Sequence, residues 1–111
     1  MVTEYQYKVK KLRDALKAVS GIKISHYREL EQDRYIVWAE TGQTSGYWAD
    51  NEKYVQGLKG EVALFTNVEY DTVVDEIQEA FLEASIDWEL RNVKHDPAMD
   101  RIGYLWDVTV D

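Results

Sequence analysis

The chain has 111 residues, of which 45% are hydrophobic, 13% aromatic and 31% charged. That is material for one packed domain and far too apolar for a disordered chain. With no Cys, a single Pro and a formal charge of −8, it excludes disulfide scaffolds, thiolate metal sites, cysteine nucleophiles and collagen-like repeats.

Residues 3–19 read as an amphipathic helix. Thr3 stands at the capping position, and Val9, Leu12, Leu16 and Val19 recur at spacings of three and four, with Tyr5 extending the stripe. Ser20-Gly21 stops it, Gly21 being suited to a left-handed cap. Lys10, Arg13 and Lys17 lie off the apolar stripe. Residues 1–23 hold six basic side chains against two acidic ones, so the rest of the chain carries −12 of charge. Such a body repels a phosphate backbone, which argues against DNA or RNA binding and leaves no sequence-specific nucleic acid among the expected partners. The basic helix face is either simply solvated or able to meet an acidic partner, including another copy of the chain.

The period then changes to two. Ile22, Ile24 and His26 alternate with Lys23, Ser25 and Tyr27, residues 29–33 are polar, and Tyr35-Ile36-Val37-Trp38-Ala39 is rich in β-branched and aromatic residues. The pattern predicts two strands joined as a hairpin. Residues 41–58 open with the breaker-rich Thr41–Gly46 and continue with Tyr47, Trp48, Ala49, Asp50 and Asn51. This long loop is expected to be the most mobile internal segment of an isolated subunit and to order on assembly. Its aromatics rest either on their own domain or on a partner.

Residues 59–70 predict a strand with apolar groups on both sides, hence a central one. Asp71 caps a second helix to about Ala84, with Val73, Val74, Ile77, Ala80, Phe81 and Ala84 inward and Asp75, Glu76, Glu79 and Glu83 outward. Two alternating strands close the chain, at 86–91 and 101–110, around a turn at His95–Asp100. The expected fold is therefore a single α+β domain over 1–111 with element order α-β-β-β-α-β-β. Its sheet is mostly antiparallel, and both helices pack on one face. Val9, Leu12, Leu16, Val37, Leu64, Ile77, Phe81, Trp88 and Trp106 form the expected core. No apolar run reaches the length of a membrane span and no leader pattern follows Met1, so a soluble cytosolic protein without a membrane partner is expected.

No catalytic motif stands out. His26 and His95 belong to no HxH or HExxH spacing, the glycine-rich phosphate loops and the GxSxG elbow are absent, and none of the four Ser has a base nearby in sequence. Asp50 with Glu52, and Asp71 with Asp75 and Glu76, are carboxylate pairs of a kind common on soluble surfaces, and helix capping explains the second set. No cofactor, no metal site and no enzymatic activity are expected.

The order of features has a likeness. An N-terminal helix precedes Tyr35-Ile36-Val37-Trp38, a loop carries Tyr47-Trp48-Ala49-Asp50-Asn51, and a strand reads Val62-Ala63-Leu64-Phe65-Thr66. An acidic helix, Ile86-Asp87-Trp88 and an aromatic closing strand follow. From Tyr5 to Val110 the pattern resembles the small tail-completion and tail-terminator proteins of long-tailed bacteriophages and prophages. The Asp50-Asn51 pair ahead of the Val62–Thr66 strand is its most telling part. The resemblance implies a non-enzymatic virion assembly protein at the head–tail junction. Such proteins form a ring, commonly a hexamer, between the tail tube and the head connector. They work in the host bacterial cytoplasm during assembly and then in the virion. DNA passes through the ring without being read, which an acidic body would suit.

On that reading the expected interface residues are Lys10, Arg13 and Lys17 on the first helix, Tyr47, Trp48, Asp50 and Asn51 in the loop, and Asp75, Glu76 and Glu79 on the second helix. The basic face of one copy would meet the acidic face of the next. Two other classes fit the residues: a small ligand- or peptide-binding module with the 41–58 loop as a lid, and a small enzyme with a dispersed acidic site.

Overall fold

The computed structural model describes residues 4–44, 48–49, 52–53 and 57–111, the two short pairs by backbone alone. The elements are α1 (Tyr5–Lys17), β1 (Lys23–His26), β2 (Tyr35–Gln43), β3 (Trp48–Ala49), β4 (Glu52–Lys53), β5 (Leu58–Thr66), α2 (Val73–Glu83), β6 (Asp87–Asp96) and β7 (Arg101–Val110). Five strands form one sheet in the order β1-β2-β5-β7-β6, while β3 and β4 pair separately. Apart from that small ladder, the class and order are those the sequence predicts, and β5 is the central strand.

Each helix is set by its apolar spacing. Leu12 and Leu16 of α1 are fully buried, with Val9 and Ala15 beside them. Burying one such leucine contributes about 1.5–3 kcal/mol. Gly21, at φ +75°, ends this segment in the left-handed region. Glu4 leads into α1 without a side-chain cap, and the expected cap at Thr3 lies outside the described residues. Lys8 is buried as well, which the apolar stripe does not reveal. In α2, Val73, Ile77, Ala80 and Phe81 face inward, and Asp75 and Glu76 sit in the first turn, where the helix dipole favours them.

One apolar layer fills the space between both helices and one sheet face. Ile36 and Trp38 of β2, Val62 and Leu64 of β5, and Trp106 and Val108 of β7 supply the sheet side. The Phe81 ring meets Trp106 edge-on at 6.3 Å. Gly60 lets α1 come close: a Cβ there would lie 3.0 Å from the Ala39 carbonyl oxygen and 3.3 Å from Leu12 Cδ2.

Several details differ from expectation. β1 and β2 are not a hairpin but a parallel pair, Ile24 opposite Ile36 and His26 opposite Trp38. A parallel neighbour requires the chain to return to the same end of the sheet. β1 has only four residues, so residues 27–34 suffice to cross back. Val37 is half-buried on the sheet face away from the helices, and Trp88 is half-buried at the margin of the core. β5 ends at Thr66 rather than near 70, and β6 continues to Asp96. The segment expected as an irregular loop over 41–58 is partly regular: β2 reaches Gln43, and Trp48 pairs with Lys53. The register of β6 against β7 slips between Leu90 and Asn92, leaving Arg91 as an extra residue on the outer strand.

Candidate functional site

The most tightly organised polar group lies where β5 turns into α2. Asp71 is buried, its side chain only 2% exposed. It accepts hydrogen bonds from Arg34 Nε at 2.8 Å and from an Arg34 terminal nitrogen at 2.9 Å. The Thr66 hydroxyl donates at 2.6 Å and the Val73 N–H at 3.0 Å. The Arg34 guanidinium is the largest influence holding the Asp71 carboxyl far below the usual carboxylate range; burial opposes it, and the Thr66 and Val73 bonds add to it. Arg34 and Asp71 stand 37 positions apart and meet only in the fold. The group joins the start of β2 to the start of α2. Every Asp71 acceptor direction is engaged within the chain, which is the arrangement of a structural clamp rather than of a carboxylate free to move protons.

His26 sits between two rings, stacked on Trp38 at 3.9 Å and on Tyr27 at 4.0 Å between centroids. Its Nε2 shares a hydrogen bond of 2.9 Å with Glu40. His95 lies 3.5 Å from Asp100 in the exposed β6–β7 turn region.

No described helix packs on the sheet face away from α1 and α2; Tyr35 on that face is fully buried beside Phe65, and Tyr27 and Glu29 flank its middle. Across its middle run Val37 of β2, Ala63 of β5 and Leu105 of β7, paired in register and all half-buried. Small side chains here leave a shallow trough. One hollow of about 480 Å³ and another of about 200 Å³ share Ala63, Phe65 and Leu105. Toward one end of the strands the trough carries two cations and one carboxylate: Arg101 lies over the Phe65 ring at 4.5 Å, Lys94 is opposite Gly103, and Asp96 is opposite Arg101. Toward the other end Glu61, Asp107 and Glu89 share a row, with Arg91 bridging Glu61 and, at 2.7 Å, Asp107.

No protein-family model matches the chain, and no curated protein matches it in sequence.

The expected interface residues divide by element. Lys10 and Lys17 are exposed on α1, and Arg13 is half-buried and paired with its neighbour Asp14 at 2.9 Å. Asp75, Glu76 and Glu79 are exposed on α2. Tyr47, Asp50 and Asn51 lie outside the described residues, and Trp48 is described only as backbone of β3. The two helices lie side by side in one layer, with Lys10, Lys11 and Glu83 around the groove between them. Opposite charges therefore already flank one another within a single subunit. Two apolar groups stand among the acids and on the adjoining turn: Leu82 is 67% exposed and Tyr70 88%.

The trough is the feature that sequence reasoning missed. Alternation shows that Val37, Ala63, Phe65 and Leu105 are apolar on the second face of their strands, but not whether a further layer covers that face. Among the described residues no helix is long and apolar enough to cross a membrane.

Proposed function

We propose that this protein is a non-enzymatic subunit of a phage or prophage tail-completion or tail-terminator ring, built from identical copies at the head–tail junction. The likeness of its segment order to that group supplies the identity. One structural observation supports self-assembly in particular: the subunit combines an apolar sheet face that no described helix covers with segregated charge, basic on α1 and acidic on α2. Monomeric proteins rarely leave contiguous apolar area open without a use for it. Contacts between unlike surfaces of identical copies close into rings when the rotation permits. The −12 body suits a lumen through which DNA slides without sticking. The partners on this reading are the tail tube and the head connector.

Native mass measurement of the protein mixed with tail tubes tests the reading. A closed oligomer that caps tube ends is expected. Reversing Lys10, Arg13 and Lys17 to Glu should leave the fold intact and block capping, giving tails of uncontrolled length or tails that fail to join heads. Exposed ion pairs contribute only about 0–1 kcal/mol each, so charge sets orientation and apolar contact supplies most of the affinity. A wild-type protein that never associates with tubes or connectors overturns the assignment.

A further inference from the structure

We infer that the helix layer of one copy docks into the open sheet trough of the next, with α2 as the principal inserting element; this rests on the self-assembly reading above and specifies its contact surface. The two surfaces lie on opposite sides of the same sheet. One subunit can therefore use both at once, and the contact is heterologous by construction.

The surfaces match in shape. The trough floor is Val37, Ala63 and Leu105, shallow because Ala39, Ala63 and Gly103 carry little or no side chain. Leu82, opposite the buried stripe of α2, is the exposed apolar group that fits such a floor. They match in charge as well. Asp75 and Glu79 lie along the same outward stripe as Leu82, at spacings of four and three. The trough ends in Lys94 and Arg101 with Asp96 opposite Arg101, a net positive end, and none of the three takes part in an ion pair among the described residues. The row of Glu61, Asp107 and Glu89 leaves a net acidic end even after Arg91 is counted, suited to the basic face of α1. A direct α1-to-α2 contact between copies, expected from charge alone, would leave the trough uncovered; docking the helix layer into it covers apolar surface and pairs both signs of charge.

The chain has no Cys, so thiol cross-linking reads the contact cleanly. Three proteins are needed: Leu82→Cys, Leu105→Cys and the chain carrying both. Circular dichroism checks each for folding, since Leu82 is exposed and Leu105 half-buried. With a short bis-maleimide at high protein concentration, the double variant should give a ladder of covalent multimers. An equal mixture of the single variants should stop at dimers, and each single variant alone should cross-link at least about tenfold more slowly. Lys94→Glu with Arg101→Glu should slow the ladder by a similar factor, and adding Asp75→Lys with Glu79→Lys should restore it.

If Leu82→Cys alone cross-links as fast as the mixture, the contact is helix to helix and the inference is overturned. A wild-type oligomer by native mass without any Leu82–Leu105 ladder also overturns it, while leaving the ring reading in place. A protein that stays monomeric, forms no ladder and ignores tail tubes overturns both. Cross-linking of Leu105→Cys to a tube protein but never to Leu82→Cys assigns the trough to another partner and overturns the self-docking contact.

Discussion

Replacing Asp71 by Ala is the sharpest perturbation of the fold. It removes a two-point ion pair with Arg34, the acceptor for the buried Thr66 hydroxyl, and the cap on the Val73 N–H. Breaking a buried pair from one side costs about 3–5 kcal/mol. Arg34, with a third of its side chain exposed, regains water when its partner is lost, which lowers that figure. The lost cap adds about 1 kcal/mol. The expected net destabilisation is about 3 kcal/mol, a large share of the ~5–15 kcal/mol typical of a whole domain. In urea, with a slope of about 1.5 kcal/mol per molar, the unfolding midpoint should fall by about 2 M.

The effect also has a signed dependence on pH. The folded-state carboxyl is depressed below its ordinary value of 3.8, so ionised Asp71 stabilises the fold fully above the unfolded pKa. That contribution is lost progressively as pH falls below about 5, because the unfolded chain takes up the proton first. The gap in midpoint between wild type and Asp71→Asn should therefore narrow in acid. A shift under about 0.3 M for Asp71→Ala at neutral pH, or no coupling between Arg34→Met and Asp71→Ala in a double-mutant cycle, would refute the reasoning.

Two further substitutions probe the packing. Gly60→Ala should lower stability by about 1–3 kcal/mol in thermal melts, because the new methyl meets the Ala39 carbonyl oxygen and Leu12; a neutral result would mean that α1 can shift away from β5. Tyr35→Phe should be neutral or stabilising by up to about 1 kcal/mol, since the Tyr35 hydroxyl is buried without a hydrogen-bond partner among the described residues, and a loss above about 1 kcal/mol would show that it has one.

What the sequence revealed followed from periodicity. Leu12 and Leu16, or Ile77 and Phe81, are spaced so that burial is forced once a helix forms. Apolar residues on both sides of β5 marked it as central, and it is. Strand direction was hidden, because the composition of β1 is the same whether it runs with or against β2. Distance along the chain hid the Arg34–Asp71 pair: Asp71 was legible as a cap, but its partner was only one of several surface-type arginines. The charged helix faces were legible as exposed surfaces. The trough was not, because covered and uncovered apolar faces have the same alternation, and Val37 was accordingly expected in the core.

The slip at Leu90 and Asn92 bears on how far copies of this chain can associate. A ten-residue outer strand with free backbone groups is a template for endless edge-to-edge stacking and fibres. In β6 the extra residue breaks the ladder midway, and that residue is Arg91, whose side chain folds back over the sheet onto Glu61 and Asp107. The kink and the charge make the border a poor template for a second strand. On the self-assembly reading proposed above, this turns contact between copies away from the rim of the sheet and toward its two faces, where geometry can close an assembly at a finite number of copies.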